Sequence, residues 1–120
     1  MSTLTLATSA GSTLVALVML ASGVPKALGQ KSAIDRVVAL NYSATAGRTI
    51  GCVEALGAIG LIAGFIWPVV GLIAAVGSAM LMAGAAASHL RAGDTIVRAL
   101  PAVVVGLVAV AVAVLYYVAL

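Results

Sequence analysis

Lys26, Glu54 and His89 stand apart in an otherwise apolar chain. A carboxyl set inside a hydrophobic segment can carry a proton or bind a polar ligand, and an amine or imidazole near a segment's end can hold an anion or pass that proton on. From Val53 to Leu90 the only ionisable side chains are Glu54 and His89, so acid–base chemistry within that stretch rests on these two. Glu54 admits two readings: a proton-handling or ligand-binding carboxyl, or a hydrogen-bonded glutamate that fixes helix register. Lys26, Arg48, His89 and Arg91 read as a basic layer at the membrane interface, where long cationic side chains reach anionic head groups. With a single Cys52 the chain has neither an internal disulfide nor a dithiol pair, and one Cys with one His falls short of a closed metal site. Cys52 itself reads as a small packing residue. Asp94, directly before the last apolar segment, reads as a helix N-cap.

Helices in lipid must position these residues. Of 120 residues, 64% are hydrophobic and 8% charged, outside the usual range of soluble domains. The net charge of +3 is carried beside hydrophobic segments without interleaved aromatics, which argues against a nucleic-acid surface. Crossing a hydrocarbon core of about 30 Å takes roughly 20 helical residues. The charges divide the chain into four such spans: Leu4 to Val24, Ala46 to Ile66, Pro68 to Leu90 and Ile96 to Leu120. The fold class predicted is all-α, a single-domain integral membrane four-helix bundle, because four strands cannot close a barrel and an open sheet leaves backbone groups unpaired in lipid. In the first connection, the capping-box-like Ser32-x-x-Asp35 and the spacing of Ile34, Val37, Val38 and Leu40 predict a short interfacial helix over 32–40. Pro25 is expected to end the first span, Pro68 to open the third and Pro101 to bend the fourth. The first segment lacks a preceding basic region and is expected to be retained, although Ala7-Thr8-Ser9-Ala10 would also suit a cleavage site.

Every Lys and Arg lies in the first connection, at the adjoining start of the second span, or around the junction of the third and fourth. The positive-inside rule then puts both charged connections in the cytoplasm and both termini and the Trp67 turn outside, with Trp67, Tyr116 and Tyr117 as outer interfacial anchors. Small residues supply the packing faces. Advancing about 100° per residue, Gly47, Gly51, Glu54, Ala58, Leu61 and Phe65 share one face of the second span, and Gly57, Gly60 and Gly64 another. In the third span Gly71, Ala75, Ser78, Met82, Ala85 and His89 align, with Gly77 and Gly84 on a separate stripe. Ala102, Gly106, Ala109 and Ala113 align in the fourth. Measured from the Trp67 turn, Glu54 lies roughly 20 Å down its helix and His89 roughly 33 Å down the next. No direct bond between them is expected; Ser78 and Met82 lie nearer Glu54, and His89 shares its depth with Lys26.

The order of three short motifs carries a resemblance: G-V-P-K (Gly23 to Lys26), G-C-V-E-A-L-G-A-I-G-L-I-A-G (Gly51 to Gly64) and H-L-R-A-G-D (His89 to Asp94). The chain resembles the DoxX-like family of small bacterial four-helix membrane proteins over nearly its whole length. The resemblance implies that Lys26, Glu54 and His89 are recurrent polar positions of the family and that the protein sits in a bacterial inner membrane. It also implies a link to quinone-associated sulfur oxidation, from which the family takes its name, in a group whose members are functionally diverse and in some cases accessory parts of membrane assemblies.

No nucleophile–base pair, metal cluster or phosphate loop is legible, while the glycine stripes exceed what one bundle needs. The expected function is therefore a non-enzymatic accessory or regulatory subunit of a larger inner-membrane complex, a transporter or an oxidoreductase, without a cofactor of its own. Its expected partners are other membrane proteins and anionic lipids, with homo-oligomerisation left open. Two alternatives stand beside it: a quinone-linked redox component in which Glu54 or His89 handles protons, and a small lipid-binding or lipid-transport module. A channel or transporter acting alone ranks lower, since four helices without inverted repeats leave little room for alternating access.

Overall fold

The computed structural model describes residues 2–120, which form five helices: α1 (Thr3–Ala27), α2 (Lys31–Ala39), α3 (Ala44–Ala63), α4 (Pro68–Arg91) and α5 (Ile96–Val118). α1, α3, α4 and α5 are long and apolar enough to cross a membrane, and the long axis of 43 Å matches the roughly 40–45 Å of a bilayer with its head-group regions. The chain is an all-helical, multi-pass membrane bundle. α1 packs chiefly on α3 and α4 on α5, and contacts of α3 with α4 and of α1 with α5 close the ring.

The helix ends follow local chemistry, with corrections to the expected bounds. Ser43 caps α3, its hydroxyl accepting from the Ala46 N–H at 3.0 Å, so the second span starts two residues earlier than expected. It ends at Ala63, which leaves Phe65 and Ile66 in the exposed turn before Trp67 and takes Phe65 off the packing face. Pro25 does not end α1, which continues to Ala27; in a last turn proline forfeits a single backbone bond, and the Leu28 N–H still reaches the Val24 carbonyl at 3.0 Å. Ser32 forms no capping box, because α2 already begins at Lys31 with Gln30 in the cap position. Pro68 occupies the first turn of α4, where its missing N–H costs nothing. α2 packs on the start of α3: a Cβ at Gly47 would lie 3.0 Å from Val37 Cγ1 and 3.3 Å from Ile34 Cδ1.

The core is a narrow seam of Val15, Ala16, Met19, Ala58, Leu61, Ala75, Ala109 and Val112 closed by Tyr116. Branched side chains such as Leu56, Ile73, Val97 and Leu107 face outward, as lipid requires and water would penalise. Tyr116 is not an interfacial anchor. It is 2% exposed, while Trp67 and Tyr117 are 59% and 68% exposed. Its hydroxyl donates to the Leu61 carbonyl at 2.6 Å and accepts from Ser12 Oγ at 3.0 Å. The ring fits only because Gly64 and Gly71 lack side chains; a Cβ on either would stand 2.6–2.7 Å from it.

Candidate functional site

The expected faces of α3 and α4 put Glu54 and Ser78 inward: Gly47, Gly51, Glu54, Ala58 and Leu61 are buried in α3, and Gly71, Ala75, Ser78 and Met82 in α4. Around Glu54 the decisive feature is a backbone-to-backbone crossing of α1 on α3. A Cβ at Gly51 would lie 2.5 Å from the Gly23 carbonyl and 2.5 Å from the Ala27 nitrogen; one at Gly23 would lie 2.7 Å from Glu54 Cβ. Only glycine at both positions allows this approach.

The crossing brings together two residues that helical depth alone separates. Lys26 Nζ donates to Glu54 Oε1 at 2.7 Å and to Ser22 Oγ at 2.9 Å. Helical side chains lean toward their own N-terminus. α1 and α3 run in opposite directions, so Lys26 leans away from the charged end and Glu54 leans toward it, and the two meet. Lys26 thus leaves the basic interfacial layer in which the sequence put it. The Glu54 side chain is 3% exposed and that of Lys26 19%, so the pair is shielded from lipid and only the amine has a route outward. Glu54 Oε2 is buried and meets no hydrogen-bond donor, which leaves the carboxylate half satisfied in a setting where an unmet acceptor is costly.

The other candidates separate into local contacts. His89 does not join Glu54; its Nδ1 lies 2.8 Å from Asp94 Oδ2, and Arg98 approaches the other Asp94 oxygen at 3.6 Å. Asp94 is therefore no N-cap of α5, a position held by Thr95. Arg48 Nε donates to the Ala27 carbonyl at 3.3 Å, tying α3 to the end of α1. Arg91 lines a cavity of about 220 Å³ with Leu40, Asn41, Tyr42 and Ser88. Tyr42 and Ser88 were not legible as a pair: Tyr42 Oη lies 2.7 Å from Ser88 Oγ across 46 residues. No group of three or more potential metal ligands occurs among the described residues.

The packing glycines also divide. Gly57 faces Met19 and Ser78, Gly60 faces Ala74, and Gly106 faces Met82. Gly77 and Gly84 face open space among the described residues, where a Cβ on either would meet nothing within 4 Å. Gly77 instead lines an apolar groove of about 330 Å³ between α3 and α4, walled by Val53, Leu56, Val70, Ile73 and Leu81.

In comparisons with known proteins, no curated protein and no solved structure matches this chain. The model of the DoxX-like family matches residues 10–113, a stretch that holds the Gly23–Gly51 crossing, the Lys26–Glu54 pair, the whole of α3 and α4 and most of α1 and α5. The chain belongs to the DoxX-like family.

Proposed function

We propose that this protein is a non-enzymatic accessory or regulatory subunit of a larger inner-membrane complex, a transporter or an oxidoreductase, and that a partner's transmembrane helix seats in the α3–α4 groove. The observation that carries this reading is the open glycine stripe of α4. Gly77 and Gly84 lie seven residues apart, about two turns and hence on one face, and neither is used by the chain's own packing. Helices associate in lipid through small residues that let backbones approach, so this stripe suits a helix from outside the chain. The apolar walls of the groove suit a membrane helix better than a water-soluble segment.

A photo-crosslinking side chain at Ile73, on the groove, tests the reading against one at Val110, an exposed position on α5. The expected result is one discrete adduct with another membrane protein from Ile73, none from Val110, and loss of the adduct when Gly77→Leu is added. An adduct of twice the chain's mass would replace the partner by a second copy, and no adduct at Ile73 would overturn the reading. For orientation, the positive-inside rule supports cytoplasmic charged connections and outside termini. In a Cys52→Ser background, an impermeant thiol reagent should label Ser2→Cys in intact cells and Ala92→Cys only after permeabilisation; the reverse pattern would invert the topology.

The unmet Glu54 Oε2 favours one second reading, a quinone-linked component in which Glu54 handles a proton and a partner supplies electrons. It expects quinone to co-purify with the wild type and to be lost from Glu54→Gln. Equal quinone in both would end it.

A further inference from the structure

We propose that the cavity between the α2–α3 bend and the end of α4 binds a phosphate group, with the head group of an anionic lipid as its first candidate source. The hydrogen-bond directions fix which groups are free to act. Ser88 Oγ donates its one proton to the Gly84 carbonyl at 2.7 Å, so in the 2.7 Å contact with Tyr42 the phenol donates to Ser88. Both hydroxyl protons are then spent, and Tyr42 and Ser88 serve as a strut that holds the α2–α3 bend against α4. The donors left in the lining are the Arg91 guanidinium and the Asn41 amide. Among the described residues no carboxylate lies within 4 Å of Arg91, and Asp94 pairs with His89 and Arg98. The cavity is thus positive and lined by no acid.

A guanidinium offers two parallel donors that match two phosphate oxygens, and an amide adds a third without charge. Arg91 ends α4, which sets the cavity at the boundary between an apolar span and a polar turn, the level of lipid head groups. Leu40 in the lining supplies apolar surface for the start of an acyl chain. The site is independent of the α3–α4 groove and of any partner helix there.

The test uses the full chain, delipidated in neutral detergent and titrated with phosphatidylglycerol or phosphatidylcholine under native mass spectrometry. Wild type should prefer phosphatidylglycerol, and Arg91→Gln should weaken that binding by roughly tenfold, as expected for loss of a charge-assisted hydrogen-bonded pair. Asn41 has φ 71°, so Asn41→Gly removes the amide while keeping the bend and should weaken binding several-fold. Lys31→Gln, equal in charge change but outside the cavity, should change it less than about twofold. Competition by inorganic phosphate that displaces the lipid identifies a soluble phosphate as ligand; failure to displace it identifies the lipid head group. Equal phosphatidylglycerol binding by wild type, Arg91→Gln and Asn41→Gly would overturn the proposal.

Discussion

α3 meets its neighbours through glycine on two sides, and the two sides differ in what fills them. Toward α1, Gly51 sits against the Gly23 carbonyl and the Ala27 nitrogen, and the contact is closed by the chain itself. Toward α4, Gly57 reaches Ser78 and Gly60 reaches Ala74, but the groove beyond them stays open, and a Cβ on Gly77 would meet nothing within 4 Å. Glu54 lies on the closed side and its cation comes from the same chain. The difference teaches that the same residue type serves two ends: on one side glycine builds the bundle around a buried polar pair, and on the other it leaves a surface shaped for a helix.

Variants that exchange these roles can break the comparison. Gly51→Leu should have the largest effect, because its side chain would occupy the space of α1 backbone atoms that cannot move aside alone. A loss of about 3 kcal/mol or more is expected, at the upper end of overpacking costs, read by denaturing-detergent titration in mixed micelles; wild-type stability would mean that α1 and α3 do not cross so closely. Lys26→Met comes next. It strips a buried carboxylate of its cation and should cost on the order of 3 kcal/mol, most of it recovered in Lys26→Met with Glu54→Gln. Additive single effects would make the pair incidental. Tyr116→Phe removes one hydroxyl from a seam of otherwise apolar contacts and should cost about 1 kcal/mol, read by the same titration, with a cost near zero denying it a role in holding α1, α3 and α5 together. Gly77→Leu should be the mildest for stability, within about 0.5 kcal/mol, since a Cβ there would meet nothing within 4 Å and the groove beyond it is open; a large loss would close the groove in favour of intrachain packing.

The four spans and the inward faces of α3 and α4 were legible because lipid makes hydropathy and small-residue periodicity nearly sufficient. Glu54 was legible as an ionisable group deep in a span. Its partner was not, since depth counted in residues ignores the lean of helical side chains, and Lys26 and Glu54 lean toward each other from antiparallel helices. A Gly23–Gly51 contact was the available signal, with both glycines visible but their mutual approach a tertiary fact. Tyr116 was misread for a related reason: near a span's end tyrosine suits the interface equally well, and only the space left by Gly64 and Gly71 draws it inward. Asp94 looked like a cap because it precedes α5, yet His89 lies five residues before it and one turn of chain brings the two together at 2.8 Å.

The most direct test of the assembly account compares Gly77→Leu, in the groove, with Ala111→Leu, an exposed position on α5, by native mass spectrometry of complexes released from membranes without detergent. The account predicts that both variants keep wild-type stability, that Ala111→Leu stays in its complex, and that Gly77→Leu emerges free of the partner. A Gly77→Leu protein that retains the same partner in the same proportion as wild type would contradict it.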